Sequence, residues 1–408
     1  MFKKILSLVL VAVMCVGACV AFASCGVKSE DFKIGVILLH DENSTYDLNF
    51  MHGVETAIEK LGMSKDQIIY KKNVPESDKA YEAACDLADS GCNIVFADSF
   101  GHEQYILKAA KEYKKVQFCH ATGTTAHTEG VKNFHNAFAS IYEGRYLAGV
   151  AAGMKLNEMI ANQTVINGTV VTAENAKIGY VGAFTYAEVI SGYTSFYLGA
   201  KSVCPTVTMD VKFTGSWYDE VKEKETANEL INSGCNLISQ HADSMGAPSA
   251  CEEAGVPNVS YNGSTIADCP DTFIVSSRID WSVYFKYIVE CVLDGKDIDT
   301  DWTGTLANGA VALTDINTKV AAAGTAEKIQ EIAAKLNDGS LKVFDTKTFT
   351  VEGKELTSYM ADVNTDADFK GDTEAVSNGY FHESEYRSAP YFNVQIDGIK
   401  LLNTAFGS

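Results

Sequence analysis

Proline and basic residues are scarce in this sequence. Its 408 residues include only 6 prolines, and 33 lysines and arginines stand against 53 aspartates and glutamates, which gives a formal net charge of −20. No stretch is rich in proline or in glycine and serine, so the sequence predicts no flexible linker. So acidic a surface repels the phosphate backbone of DNA and RNA, which excludes polymeric nucleic acids as partners.

Motifs of several enzymes and metal sites are absent. There is no G-x-x-x-x-G-K-[ST] phosphate loop and no G-x-S-x-G nucleophile elbow. The segment His382–Tyr386 begins like a zinc-protease helix but ends in tyrosine instead of the second histidine. A calcium-like loop begins at Asp362, but Ala367 replaces its glycine and Thr373 its glutamate. We therefore predict no catalytic residue, no metal and no cofactor.

Cysteine pairs with C-x-x-C spacing are also absent, although the chain has 11 cysteines. This absence excludes a zinc ribbon or a thioredoxin-type motif. Several cysteines lie beside apolar runs, so we expect buried free thiols. A disulfide such as Cys85 with Cys92 is the alternative.

The first residues predict an export signal. Lys3 and Lys4 precede an uncharged, mostly apolar run over Ile5–Ala23, and small residues lead into Cys25. We interpret residues 1–24 as a signal peptide whose removal leaves Cys25 as the lipidated first residue. An uncleaved membrane anchor is the alternative. Both interpretations place the bulk of the chain outside the cytoplasm and tethered to a membrane.

Alternating strands and helices fill most of the remaining chain, which is long enough for two lobes. The predicted strands are Ile34–Leu39, Ile94–Ala97, Val116–Cys119, Lys177–Val181, Val207–Phe213, Leu237–Gln240, Asn258–Tyr261 and Phe273–Ser277. Helical spacing follows near His52–Leu61, Glu103–Tyr113, Glu188–Ser202, Glu220–Asn232 and Ala247–Ala254, and again over Thr325–Leu336. This alternation predicts an α/β protein with parallel sheets flanked by helices.

Two series of such units, broken near residues 141–172, predict two lobes that face each other across a cleft. We assign residues 31–140 and 282–305 to the first lobe, and residues 141–277 and about 310–345 to the second. Residues 346–408 are predicted to form a hairpin and a polar, aromatic tail. The hairpin is expected from Val343–Thr350 and Leu356–Met360, and the tail either covers a lobe or packs beside the cleft.

Ligands of parallel sheets bind beyond the carboxyl ends of the strands, so the residues after each strand are candidates for a site. Aromatic faces there suit a planar ligand, while carboxylates and imidazoles can accept or donate hydrogen bonds. Plain core packing is the alternative for each aromatic residue. The candidate ligand-binding residues are Tyr46, Phe100, His120, Glu188, Trp217, His241, Asp243 and Asp280.

Five segments, in this order, resemble the basic membrane protein family of substrate-binding lipoproteins that serve ABC importers. The resemblance covers roughly residues 32–300. The segments are Phe100-Gly101 with Val116–Gly123, Tyr142–Gly149, Ile178–Gly182, Trp217–Asp219 and Gln240–Ser244. The resemblance implies a type I periplasmic-binding-protein-like fold with the ligand between the lobes. It also implies ABC permease subunits as partners, a monomeric state, and a lipid anchor on the extracytoplasmic face of the cell membrane.

The same resemblance implies a purine nucleoside or purine base as the ligand. His-Ala-Thr-Gly at residues 120–123 and Gln-His-Ala-Asp-Ser at residues 240–244 resemble the purine-base-binding branch, whereas Tyr46–Phe50 departs from the family pattern. The base would lie between Tyr46 or Phe100 on one side and Trp217 on the other. Hydrogen bonds would come from Glu188, His120 and Asp243, and Asp280 would hold a ribose or the lobe crossing. We interpret Glu143–Tyr146 as structural.

Two other functions fit the same cleft. An exported nucleoside hydrolase would use Asp98 or Asp243 and would release free base. A ligand sensor would present its closed form to a membrane receptor. The absence of a nucleophile with a partner in the sequence favours a binding protein.

Overall fold

The computed structural model describes residues 26–364 and 370–404. The predicted signal peptide and the predicted lipidation residue Cys25 lie outside these ranges. Within them, we find no helix with the length and apolar character needed to cross a bilayer. The eight cysteines in the described ranges are free thiols, and all except Cys85 are buried.

The first lobe begins as strands and helices in alternation. Its elements are β1 (Ile34–Ile37), α1 (Thr45–Lys60), β2 (Ile68–Lys71), α2 (Asp78–Asp89), β3 (Ile94–Ala97), α3 (Glu103–Glu112), β4 (Gln117–Ala121), α4 (Ala126–Glu129) and β5 (Phe134–Ala139). All four residues of β1 are buried, as expected for a strand covered on both faces. Helix α1 begins at Thr45 because the Ser44 side chain accepts a hydrogen bond from the Asp47 amide.

The second lobe repeats this plan. Its elements are α5 (Ile141–Ala161), β6 (Val165–Ile166), β7 (Thr169–Val170), β8 (Lys177–Gly182), α6 (Ala187–Val203), β9 (Thr208–Phe213), α7 (Glu220–Asn232), β10 (Leu237–Gln240), α8 (Gly246–Ala254), β11 (Asn258–Tyr261) and β12 (Phe273–Ile279). Helices α5 and α6 pack very closely, which requires glycine at position 149, because a side chain there would meet the carbonyl of Phe196. The reverse also holds, since a side chain at Gly199 would meet the carbonyl of Tyr146.

After β12 the chain returns to the first lobe and then to the second. The elements are α9 (Trp281–Asp294), β13 (Asp301–Gly304), β14 (Val311–Leu313) and α10 (Thr325–Asn337). Helix α9 packs on α1, and α10 packs on α5. The chain therefore passes between the lobes after β5, after β12 and between β13 and β14.

Each lobe is built on one large sheet. The first sheet has six parallel strands in the order β13-β5-β4-β3-β1-β2. The second has seven strands in the order β14-β12-β11-β10-β8-β9, followed by a strand at Ile399–Leu401 from the end of the chain. Only β14 is antiparallel to its neighbour in the second sheet. The predicted two-lobed α/β fold, with parallel sheets flanked by helices, is confirmed.

The hairpin predicted over residues 343–360 is wrong. The two predicted strands do not pair with each other: a single bridge joins Val351 and Lys354, and Asp345 forms a bridge with Tyr380. The side chains of Val343, Phe344 and Phe349 are instead buried in the core of the second lobe. Short antiparallel pairs occur later, between Met360–Ala361 and Thr373–Glu374 and between Val376–Ser377 and Tyr380–Phe381. The apolar side chains of this segment gain more from the existing core than from an isolated two-stranded ribbon.

The last part of the chain contacts both lobes. The strand Ile399–Leu401 extends the second sheet beside β9, and Tyr391 and Phe392 are buried in the second-lobe core. The amide of Ser388 donates a 2.8 Å hydrogen bond to Asp301 Oδ2, at the start of β13 in the first sheet. The tail therefore covers the second lobe and reaches across to the first.

Candidate functional site

A cavity lies between the two lobes. It lies beyond the carboxyl ends of β1, β3 and β4 in the first lobe and of β8, β9, β10 and β11 in the second. The first lobe contributes the wall residues Leu39, His40, Tyr46, Asp47, Ser99, Phe100 and Thr122. The second lobe contributes Glu188, Trp217, His241, Asp243 and Tyr261.

The two lobes touch around this cavity. The amide and the hydroxyl of Thr45 both donate to the carbonyl of Asp243, at 3.0 and 3.2 Å. The rings of Phe100 and Tyr186 lie 5.4 Å apart across the opening, and those of His40 and Tyr218 lie 5.3 Å apart. The structure therefore shows the cleft in a closed form.

A cluster of aromatic side chains surrounds the second-lobe wall. The indole of Trp217 lies 5.1 Å from the ring of Phe184 and 5.9 Å from that of Tyr186. Trp217 follows β9 and lies just before α7, which the Asp219 side chain caps by accepting from the Lys222 amide. These neighbours restrict the indole, which presents an aromatic surface to a ligand in the cavity.

Two second-lobe carboxyl groups line the cavity. Asp243 is 5% exposed, and its Oδ1 accepts a 3.3 Å hydrogen bond from Asn262. Burial, with the nearby carboxyl groups of Glu223 and Asp47, raises the pKa of Asp243 well above its ordinary value. Glu188 Oε1 lies 3.4 Å from His241 Nε2, and burial lowers the pKa of His241, which favours the neutral imidazole.

The first-lobe wall is held by bonds within its own lobe. The Tyr46 hydroxyl donates to the carbonyl of Asp98 at 2.8 Å, and Asp47 Oδ1 accepts from the His40 amide at 2.7 Å. Burial alone would raise the pKa of Asp47, but hydrogen bonds from His40 and Ser44 outweigh it and lower that pKa. Behind this wall, burial and the neighbouring Asp47 raise the pKa of Asp98 well above its ordinary value.

The charge of the cavity limits its ligands. Among the described residues that line it, none is a lysine or an arginine, whereas Asp47, Glu188 and Asp243 are acidic. A phosphate group would lack a cationic partner there and would meet carboxylates instead. The wall suits an uncharged planar molecule that carries N–H or O–H donors.

The structure brings six of the eight predicted site residues together. Tyr46, Phe100, Glu188, Trp217, His241 and Asp243 all line the cavity. It places the other two outside this cavity. His120 does not line the cavity, since its fully buried ring lies behind the wall and its Nε2 bonds the carbonyl of Ser99 at 2.7 Å. Asp280 also lies outside, at the lobe crossing after β12 that was the predicted alternative to a ribose contact. Its side chain caps α9 at the Ser282 amide and pairs with Arg278 at 3.5 Å.

Six wall residues were missed as site residues: Leu39, His40, Asp47, Ser99, Thr122 and Tyr261. Asp47, Ser99 and Thr122 follow predicted strands, so the strand-end rule could have included them. Tyr261 is the last residue of β11, where the sequence does not show which face the side chain takes. Across residues 26–364 and 370–404, no group of three or more His, Cys, Asp or Glu side chains is placed to hold a metal ion.

Comparisons with known proteins agree with this architecture. A family model for Bmp, described as ABC transporter substrate-binding protein PnrA-like, matches residues 34–343. A purine-binding protein from Brucella abortus is 31% identical over 269 residues, which cover 65% of this chain and 70% of that protein. A Haloferax volcanii protein, provisionally named an ABC transporter glucose-binding protein, is 31% identical over 56% of this chain and 53% of its own length.

A solved structure shows the same fold. An ABC transporter solute-binding protein from Conexibacter woesei matches with a TM-score of 0.61 and 20% sequence identity. The match covers 76% of this chain and 98% of that protein.

Proposed function

The chain belongs to the Bmp family of ABC transporter substrate-binding proteins, and on this basis we propose that it binds a purine base or nucleoside between its lobes. In this proposal it delivers the ligand to the permease of an importer. The observation that carries the choice of ligand is the cavity wall, which combines the indole of Trp217 with the carboxyl groups of Glu188 and Asp243.

The wall chemistry favours a purine over a phosphorylated ligand. A purine ring can stack on Trp217, while its ring N–H groups or exocyclic amine can donate to a carboxylate. The name of the Brucella abortus relative supports the same class of ligand.

We propose binding without turnover. Asp98, a candidate catalytic acid for a nucleoside hydrolase, is fully buried and does not line the cavity. Asp243 does line it, so release of free base from a nucleoside is the observation that would separate a hydrolase from a binding protein. We also propose that the protein acts as a monomer outside the cytoplasm, anchored through lipidated Cys25. A ligand sensor is the alternative, and capture of a permease rather than a receptor would reject it.

A thermal-shift screen of residues 26–408 tests the ligand. The panel contains adenine, guanine, their nucleosides and monophosphates, pyrimidine nucleosides, glucose and amino acids. A ligand at about 100 times its dissociation constant should add about 2.7 kcal/mol of stability. We expect shifts with purine bases or nucleosides and none with monophosphates. A shift with glucose alone would keep the binding fold and reject the purine. Conversion of a nucleoside to free base during incubation would reject binding without turnover.

A further inference from the structure

Arg145 is a buried cation behind the second-lobe wall. It lies in α5 with no exposed surface, and no aspartate or glutamate forms an ion pair with it anywhere in the described part of the chain. Its Nη1 donates to Ser277 Oγ at 3.3 Å, and its Nη2 contacts the hydroxyl of Tyr180 at 2.6 Å, Ser239 Oγ at 3.3 Å and the carbonyl of Gln240 at 3.2 Å. Burying a guanidinium among neutral partners costs free energy, which suggests that Arg145 has a role beyond packing.

A line of hydrogen bonds connects this guanidinium to the cavity. The Tyr180 hydroxyl lies 3.3 Å from His241 Nδ1, and His241 Nε2 lies 3.4 Å from Glu188 Oε1. Of these four side chains, His241 and Glu188 line the cavity, whereas Arg145 and Tyr180 lie behind it. We call the series Arg145–Tyr180–His241–Glu188 the relay.

The direction of each bond in the relay follows from the chemistry of its first member. A guanidinium has only donors, so the Tyr180 hydroxyl accepts from Arg145 and has its own proton left to donate to His241 Nδ1. A neutral imidazole that accepts at Nδ1 carries its proton at Nε2, which faces Glu188. Burial raises the pKa of Tyr180 to about 12, so the hydroxyl keeps its proton.

We propose that Arg145 is a positioning residue for ligand recognition, which fixes the Nε2-protonated form of His241 and thereby holds Glu188 as an oriented hydrogen-bond acceptor for an N–H or O–H of the ligand. This proposal rests on the proposed function, because it assumes that the ligand binds in the interlobe cavity. It assigns a role beyond the structural one to the segment Glu143–Tyr146.

The packing around the relay supports a fixed geometry. A side-chain carbon at Gly192 would lie 2.7 Å from His241 Nδ1, so only a glycine in α6 lets the ring lie where it does. On the other side, the ring of Tyr261 lies 4.6 Å from the His241 ring and 4.8 Å from the guanidinium carbon of Arg145. Tyr261 itself lines the cavity, so the same ring holds the relay and meets the ligand.

Tyr180→Phe breaks the relay with the loss of one oxygen atom. The variant keeps the ring that packs against Tyr193 and Phe196, so we expect it to fold. Tyr193→Phe is the matched control, because Tyr193 is also buried in this lobe but its hydroxyl donates to Gln395, outside the relay. Arg145→Met is the second variant, and it removes the positive charge of the guanidinium.

The measurement is the ¹⁵N spectrum of histidine-labelled, ligand-free protein, with the His241 signals assigned from His241→Gln. We expect a single form protonated at Nε2 in the unmodified chain and in Tyr193→Phe, and a mixture of both tautomers in Tyr180→Phe. For any purine that binds, we expect the dissociation constant of Tyr180→Phe to rise about tenfold and that of Tyr193→Phe to stay within about twofold.

A His241 protonated at Nδ1 in the unmodified chain would overturn the proposal. So would identical spectra and affinities for Tyr180→Phe and Tyr193→Phe. The spectrum needs no ligand, so a chain that shows the expected tautomers but binds no purine would reject the proposed function and leave the relay standing.

Discussion

The two walls of the cavity use their polar groups differently. In the first lobe, the hydroxyl of Tyr46 and the carboxylate of Asp47 bond to groups of the same lobe. Those partners are backbone groups, whereas Glu188 and Asp243 in the second lobe bond to side chains of their own lobe, His241 and Asn262. They line the cavity beside Trp217, and a buried cation lies behind this wall. From this difference we propose that the first wall provides a fixed surface while the second recognises the chemistry of the ligand. We therefore expect substitutions in the second wall to cost more affinity.

The largest difference should come from the aromatic residues. Trp217→Ala removes the stacking surface, and we expect it to cost about 1–3 kcal/mol of binding, or roughly 5- to 150-fold in Kd. Phe100→Ala should cost about 0.5–1.5 kcal/mol, because the Phe100 ring is 41% exposed and contacts Tyr186 across the opening. Isothermal titration calorimetry measures both. A greater loss for Phe100→Ala would reverse the assignment of the two walls.

The acidic residues should give the next largest difference. Asp243→Asn replaces a carboxyl group that lines the cavity, and we expect about a tenfold rise in Kd from one altered hydrogen bond. Asp47→Asn should leave Kd within about threefold, but it should lower the unfolding free energy by about 1 kcal/mol, because Asp47 holds the His40 amide. Calorimetry and urea unfolding separate the two effects. Equal losses of affinity in both variants would mean that both walls recognise the ligand.

A smaller effect is expected at Tyr46. Tyr46→Phe removes the hydrogen bond to the Asp98 carbonyl but keeps the ring in the wall. We expect a loss of about 0.5–1.5 kcal/mol in the free energy of unfolding and less than a twofold change in Kd. A tenfold change in Kd would show that the Tyr46 hydroxyl contacts the ligand directly.

A further prediction concerns the effect of pH on stability rather than on affinity. Glu223 lies under the second wall, where it accepts from the amides of Asp219 and Ser244, and burial raises its pKa from 4.5 to about 7. The folded chain then holds a proton that the unfolded chain releases, so stability falls as the pH rises from about 4.5 to about 7. Thermal unfolding of Glu223→Gln across this range should show a flatter slope, whereas Glu220→Gln, on an exposed position of the same helix, should keep the slope of the unmodified chain.

The sequence predicted the elements whose signals are local. Helix α7 has the predicted bounds, because Asp219 supplies a cap directly before it, and β3 is a short apolar run with clear ends. Strands β2 and β5 were missed, since β2 is only partly buried and β5 carries two polar residues, His135 and Asn136, among its six. The prediction of a hairpin over residues 343–360 was wrong because its apolar residues pack into a core formed by residues distant in the sequence. Local turn signals do not report such contacts.

The same distinction applies to the site: residues that the strand topology brings together could be predicted, and residues whose place depends on packing could not. The strand-end rule found Trp217 and Asp243 because topology brings the ends of parallel strands together. It could not separate His120 from His241, since both follow apolar strand residues and only the packing shows which ring meets the cavity. The contacts of Arg145 could not be predicted from the sequence, because its hydrogen-bond partners Tyr180 and Ser277 lie 35 and 132 residues away along the chain.

The most direct test is a crystal structure of residues 26–408 with a purine that gives a thermal shift. We expect the purine ring against the indole of Trp217, with hydrogen bonds from the ligand to Glu188 or Asp243. The first wall should contribute ring and shape contacts from Tyr46 and its neighbours. A purine bound outside the interlobe cavity, or held mainly by hydrogen bonds to the first lobe, would contradict the assignment of recognition to the second wall.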